Sequence, residues 1–261
     1  MSELTGVAAE AIERLAGGDL SEVLLVRRAD GPVVAKAGSF TATEAAMLRA
    51  IAAAGVPAPM VEAEHEGVLL IEHVENDRLF SARAWADIGA HVARLHARTD
   101  QDYGWPVDYV LGTVQLDNRQ GKDWPRFWAE QRLLATVRVL DRPWRERVER
   151  LAARIGELLP ADPTAALLHG DLWSGNLLVR DGRLAAMIDP ACYHGDREVD
   201  LAMLCLFGVP EASFWDAYGE QAPGWRERRP VYQLFPALVH LRLFGASYAP
   251  LVERLLQALR V

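Results

Sequence analysis

Cysteine is nearly absent, with only Cys192 and Cys205 in 261 residues. This argues against a disulfide-stapled scaffold. With no second Cys/His cluster in ligand spacing it also gives no zinc signal, so both read as buried free thiols in a reducing compartment. Long apolar runs are missing as well. No stretch approaches the ~20 apolar residues that cross a bilayer. The first residues carry no basic run ahead of an apolar one, so no signal peptide is expected and a cytoplasmic protein is. Positive charge is in short supply: Lys and Arg number 28 against 36 Asp and Glu, a net charge of −8. That balance argues against a general binder of nucleic acid or anionic membrane, and an anionic ligand would have to be held locally. No internal repeat or low-complexity segment stands out.

What is present is a globular mixture, 51% apolar and 25% charged, in a chain long enough for one domain or two small lobes with a sizeable core. Its organising stretch is residues 167–189, LLHGDLWSGNLLVRDGRLAAMID. Two apolar strands, 177–179 and 184–188, flank an Asp181-Gly182 turn, and a polar loop from His169 to Asn176 leads in. Asp171, Asn176 and Asp189 then lie at the strand ends, where a hairpin would gather them. A base with two hard oxygen ligands is what phosphoryl transfer needs, because Mg²⁺ takes oxygen ligands and shares them with phosphate. A solvated polar loop is the alternative for each residue alone, but the joint pattern has a low chance frequency.

HGDLWSGN resembles the kinase catalytic loop H-x-D-x-x-x-x-N, and Asp189-Pro190-Ala191 stands where the metal-binding D-F-G triplet would be. Followed by IDPACYHGDREVDLAML, it is similar to the fructosamine (ketosamine) kinase family, a branch of the aminoglycoside-phosphotransferase-like kinases, from about Gly17 to the C-terminus. The resemblance implies an α+β, two-lobed protein-kinase-like fold with a small antiparallel-sheet lobe and a mainly helical one. It implies Asp171 as the catalytic base that orients the substrate hydroxyl, and Asn176 and Asp189 as ligands of Mg²⁺ bound with ATP. His169 would prop the loop, and Trp173 would pack against a sugar face, with core packing as its alternative. Asp200 resembles the buried aspartate that braces the catalytic loop, a helix-surface charge being its alternative.

From the start of the chain, residues 4–15 have helical spacing, though the last few could equally open the first strand. Gly17 and Gly18 follow, either as a helix C-cap or as a turn whose backbone N–H groups approach phosphate; the protein-kinase G-x-G-x-x-G is absent. Strands 21–28 and 32–37 flank Asp30-Gly31. The second carries Val33-Val34-Ala35-Lys36, close to the V-A-I-K strand whose lysine holds the α/β-phosphates of ATP. Helix 41–54 offers two roles for Glu44: a capping box with Thr41, or the favoured pairing with Lys36. Strands 61–65 and 68–74 form a second hairpin across Glu66-Gly67, and Glu72, His73 and Val74 match by order and character the hinge of kinase-like folds, where backbone groups bond adenine, an ordinary strand end being the alternative.

In residues 81–98, Trp85, Ile88, Val92 and Leu95 recur at helical spacing, with His96 as a satisfied core histidine. Residues 99–123 lack periodicity but hold aromatics, which argues for a functional loop. By resemblance, Gly112, the cluster 115–118 and Trp124 help enclose a sugar, making Asp117, Asn118 and Trp124 substrate contacts. Helix 124–140 carries Arg132, in the substrate cleft or in a surface ion pair. Helix 142–159 ends at Pro160. Asp196 fits the N-cap of a helix through residues 200–204. Segments 212–218, 231–244 and 251–259 read as further helices.

The expected architecture is a small ATP-covering lobe over residues 1–74 and a larger catalytic and substrate lobe over 75–261. The implied reaction moves the γ-phosphate of ATP to the 3-hydroxyl of a ketosamine or glycated protein, freeing the amine; neither nucleic acid nor membrane is expected as a partner. The alternatives are a kinase for another small alcohol such as choline or an aminoglycoside, a silent nucleotide-binding regulator, and a metal-dependent phosphohydrolase.

Overall fold

The computed structural model describes residues 11–15, 22–99, 101–137 and 140–261. Gly17, Gly18 and most of the helix expected over 4–15 lie outside them. The tail of that expected helix is a strand, β1 (Ile12–Arg14), paired antiparallel with β2 (Glu22–Arg28) so that Ile12 faces Val26. β3 (Gly31–Ala37), β4 (Val61–His65) and β5 (Val68–Glu72) complete an antiparallel sheet of order β1-β2-β3-β5-β4. The second hairpin turns at Glu66 and Gly67, both in the left-handed region (φ 45° and 78°), as a tight hairpin of right-twisted strands requires.

Strand alternation sorts β3 into two faces. Val33 and Ala35 pack with Val26 and Leu70, whereas Val34 faces Ala45 and Leu48 of α1 (Thr41–Ala53). Met47 and Ile51 of the same helix enter the main core of the chain, so α1 joins the sheet to the rest. A connection over residues 73–81 is tied to the later hairpin: the N–H groups of Asp77 and Arg78 donate to Val179 O at 2.8 and 3.3 Å.

The remaining lobe is mainly helical. α2 (Ala82–His96) starts where Ser81 Oγ accepts from Ala84 N at 3.2 Å. Beyond it, the stretch expected as an irregular loop contains a short hairpin, β6 (Tyr109–Leu111) and β7 (Val114–Leu116), too brief to give a readable alternation. The expected helix over 124–140 is described to residue 137 as α3, whose middle, Trp128–Leu134, is π-helical. α4 (Arg142–Ala153) and α5 (Ile155–Leu158) split the next expected helix.

β8 (Ala165–Leu168) leads into the catalytic-loop stretch, and β9 (Leu177–Arg180) and β10 (Arg183–Met187) form the expected hairpin. β11 (Tyr193–Asp196) returns antiparallel to β8. Asp196 is therefore a strand end, not the N-cap: the cap of α6 (Glu198–Leu204) is Arg197, while Asp196 accepts from Glu198 N at 3.0 Å and Tyr232 OH at 2.6 Å. α7 (Ala212–Tyr218), α8 (Trp225–Phe244) and α9 (Ala249–Ala258) close the lobe. The whole is the two-lobed α+β kinase architecture. Among the described residues, no helix is long and apolar enough to cross a membrane.

Candidate active site

Lys36 shares the α1-facing side of β3 with Val34, and this alternation delivers a lysine to the first turn of α1. Its ammonium pairs with Glu44 there and with Asp189 from beyond β10. Lys36 is 4% and Glu44 5% exposed. Burial alone would depress the lysine, but the two carboxylates outweigh it and hold its pKa above the ordinary value. The favoured pairing of Glu44 with Lys36 forms, and the alternative capping box does not. Phe40 is the N-cap, Thr41 Oγ1 donates to Gly38 O at 3.2 Å, and the Glu44 carboxylate is committed to Lys36.

The loop from His169 to Asn176 is held by three sets of contacts. Asp200, fully buried on α6, accepts from His169 N at 2.7 Å and Gly170 N at 2.9 Å. His96 supports it from α2, with Nε2 3.1 Å from Asp200 Oδ2 and Nδ1 2.9 Å from Tyr218 OH. His169 bonds the loop to the strand end: Asp171 N donates to its Nδ1 at 3.3 Å, which leaves Nε2 to donate to Ile188 O at 3.0 Å. Burial lowers the pKa of His169, in keeping with a neutral ring. Gly170, at φ 80°, lies so close to the Asp189 segment that a Cβ would fall 1.9 Å from Ala191 O. Only glycine permits both that conformation and that approach.

Asp171 and Asn176 touch directly. Asn176 Nδ2 donates to Asp171 Oδ2 at 2.8 Å and to Asp171 O at 2.9 Å, so the amide oxygen is the atom chemistry leaves for a cation. Burial pushes the Asp171 carboxyl up to about 7; the Asn176 bond opposes this, and the charges of Asp189 and Asp200 add to it. Asp189 sits in the left-handed region at φ 52°, unusual for a non-glycine residue. Its flanks are pinned by Ile188 N to Asn176 O at 3.0 Å and Ala191 N to His169 O at 2.9 Å. Its side chain remains 44% exposed.

Two cavities meet at Asn176 and Asp189. One, about 450 Å³, lies between the sheet and the hairpin and is lined by Lys36, Ile71, Glu72, His73, Val74 and Leu178. Glu72 has its N–H bonded to Met60 O and its carboxylate to Met60 N, and Val74 O accepts from Asn76 Nδ2 at 3.3 Å. The other, about 380 Å³, holds Asp171 and Trp173 with Gly112, Phe207, His240 and Tyr248. Both are in the size range of ligand pockets. The Trp173 ring covers Gly175, where a Cβ would meet it at 2.2 Å, and its face is shared between the cavities.

Four expected substrate contacts line neither cavity. Asn118, Trp124 and Arg132 are fully buried in the helical lobe. Trp124 Nε1 donates to Tyr232 OH at 3.0 Å. Arg132 donates to Asp117 O and Asn118 Oδ1, both at 2.7 Å, with Tyr193 and Phe127 ring centroids at 4.1 and 4.6 Å. Asp117 turns outward to Arg119 at 2.9 Å. Arg132 is thus neither in the cleft nor in a surface ion pair: a polar cluster under the β6–β7 hairpin uses the residues expected to hold sugar. Val110, Leu111, Phe207, His240, Phe244 and Tyr248 line the cavity that holds Asp171, unannounced by any motif. The one sequence signal was the aromatic and histidine spacing near the end of α8.

A family model described as fructosamine kinase matches residues 1–260. The chain is 38% identical over 179 residues to a "probable ketoamine kinase" of Lactiplantibacillus plantarum, covering 65% of this chain and 64% of that protein. A "probable ketoamine kinase" of Thermus thermophilus is 35% identical over 257 residues, covering 94% of this chain and 92% of that one. The crystal structure of a provisionally named fructosamine-3-kinase from Thermobifida fusca superposes with a TM-score of 0.89 at 33% identity, over 100% of this chain and 97% of its own.

Proposed function

Because the chain belongs to the fructosamine kinase family, we propose that it transfers the γ-phosphoryl group of ATP to the 3-hydroxyl of a ketosamine, which destabilises the adduct and frees the amine of a glycated protein or metabolite. The observation that carries the reading is the meeting of two cavities at Asn176 and Asp189, with Lys36 lining one and Asp171 the other. A nucleotide in the first would present its terminal phosphate to a hydroxyl in the second, and positioning of this kind supplies most of the rate in phosphoryl transfer.

In this reading Lys36, kept in place by Glu44, binds the α/β-phosphates, and the hinge backbone of His73 and Val74 takes the base. Asp171 accepts the hydroxyl proton and aims the oxygen at phosphorus. Asn176 Oδ1 and the Asp189 carboxylate suit Mg²⁺, which tolerates few protein ligands when phosphate oxygens complete its shell. The metal, when bound, supplies neutralisation of phosphate charge. Trp173 gives the sugar a flat apolar face. Residues 1–74 would form the nucleotide-covering lobe and 75–261 the catalytic one.

The test is Mg²⁺-dependent ADP release in the presence of fructosyl-lysine, lost in Asp171→Asn. Full turnover in that variant would remove Asp171 from its role. A polycationic aminoglycoside is disfavoured, since the acceptor-side wall beyond Asp171 is aromatic, not acidic. The same wall gives a choline-type alcohol some support as a second reading; ADP release with choline and none with the ketosamine would favour it.

A further inference from the structure

Phe207 and Phe244 are 39% and 38% exposed, large rings left partly in water beside the chemistry. They belong to a chain of rings that starts on the catalytic loop. Trp173 meets Phe207 edge-on at 5.9 Å, Phe207 meets His240 at 5.0 Å, and His240 meets Tyr248 at 5.0 Å, with Phe244 5.8 Å from Tyr248. All five line the cavity that contains Asp171. The cavity's carboxylates are Asp171, Asp189 and Glu44; none of its lining residues is a lysine or arginine. His240 Nδ1 donates to Pro236 O at 2.8 Å, and burial lowers the pKa of the ring, so the wall adds no positive charge near neutral pH.

We propose that this ring wall receives the amine substituent of the ketosamine and selects substituents that are apolar or aromatic next to the amine nitrogen and carry no carboxylate beside it. The inference rests on the ketosamine reading and refines it. With the 3-hydroxyl at Asp171, the amine nitrogen follows after only the 2- and 1-carbons, which brings it over the rings beyond Trp173. An ammonium is favoured by ring faces, and an apolar substituent gains by covering Phe207 and Phe244. A carboxylate beside the amine, as in a glycated free amino acid, would lose hydration there with no cation to meet it.

The experiment compares 1-deoxyfructosyl derivatives of benzylamine, ethylamine and glycine under saturating Mg²⁺ and ATP. The expected order of kcat/KM is benzyl above ethyl above glycine, each step about tenfold. In Phe244→Ala and Phe207→Ala the benzyl-to-ethyl ratio falls toward one, and in Phe244→Arg the glycine adduct gains on the ethyl adduct. Equal kcat/KM for the three adducts, or a benzyl preference that survives both alanine variants, overturns the inference while leaving the ketosamine reading intact. Absence of ADP release with all three overturns that reading itself and the inference with it.

Discussion

Lys36 and Asp189 are ion-paired across the cleft, one from the sheet lobe and one from the end of the catalytic hairpin. The two ends of the pair differ: the lysine side chain is 6% exposed and the aspartate 44%. Glu44 completes the lysine's buried environment from α1. The ammonium is therefore held mainly by the small lobe; in the proposed kinase reading a bound phosphate would take the place of Asp189 at the ammonium and free its carboxylate for Mg²⁺.

In the proposed kinase reading, that asymmetry would make Glu44 a positioning residue for the nucleotide. In Glu44→Gln the ammonium keeps only Asp189 and is drawn toward the metal site. KM for ATP should rise about tenfold, the loss expected when one charge-assisted bond no longer fixes a ligand-binding cation. Lys36→Met should show a larger rise. Steady-state kinetics with varied ATP checks both, and an unchanged KM for ATP in both variants would remove the pair from nucleotide binding.

The raised pKa of Asp171 gives a pH dependence with a definite sign. The base must be ionised to accept a proton, so kcat/KM should climb with pH through about 7 and level off above it. Linkage runs the other way for stability. A carboxyl whose folded pKa is raised contributes stability at acid pH, and that contribution is lost as pH rises through about 7. Asp171→Asn should therefore melt higher than the parent at pH 8, with the gap shrinking toward pH 5, while kcat falls by about 10²–10⁴. A rate profile flat from pH 5.5 to 8.5 would contradict the first half, and equal Tm values at pH 8 the second.

The sequence was most legible where local geometry and chemistry coincide. The Asp181-Gly182 and Glu66-Gly67 turns dictate hairpins because both residues of each adopt positive φ, and Lys36 follows from strand alternation. It was least legible where a polar residue's partner is remote in the chain. Arg132 and Asn118 look like cleft residues by type, yet backbone carbonyls and ring faces hold them inside the lobe. Strand β11 was hidden because its pairing with β8 depends on the catalytic loop between them. The ring wall was hidden because Trp173, Phe207 and His240 come from three separate segments.

Asp200 provides a test of loop bracing separate from catalysis. Both carboxylate oxygens accept backbone N–H groups, and one also contacts His96. An asparagine would turn an NH₂ donor toward one of those N–H donors. Asp200→Asn should cost about 1–3 kcal/mol, the price of a buried donor left unpaired. It should also lower kcat while leaving KM for ATP within about threefold, since neither Lys36 nor the hinge touches Asp200. Urea denaturation with kinetics on the same preparation checks this; lost stability at full kcat would make Asp200 purely architectural.

Arg132 carries the opposite prediction. Its guanidinium is fully buried, with carbonyl oxygens as acceptors and the rings of Tyr193 and Phe127 over its plane. A lysine keeps the charge but has neither the planar fork nor the flat face, so Arg132→Lys leaves Asn118 Oδ1 and Asp117 O poorly served. The variant should lose about 2–4 kcal/mol of stability, in the range for a disrupted buried polar network. At a temperature where it remains folded, its KM for the ketosamine should match the parent's, because Arg132 lines neither cavity. A rise in that KM with unchanged Tm would return Arg132 to the substrate site and would mean that the β6–β7 hairpin moves aside when the acceptor binds.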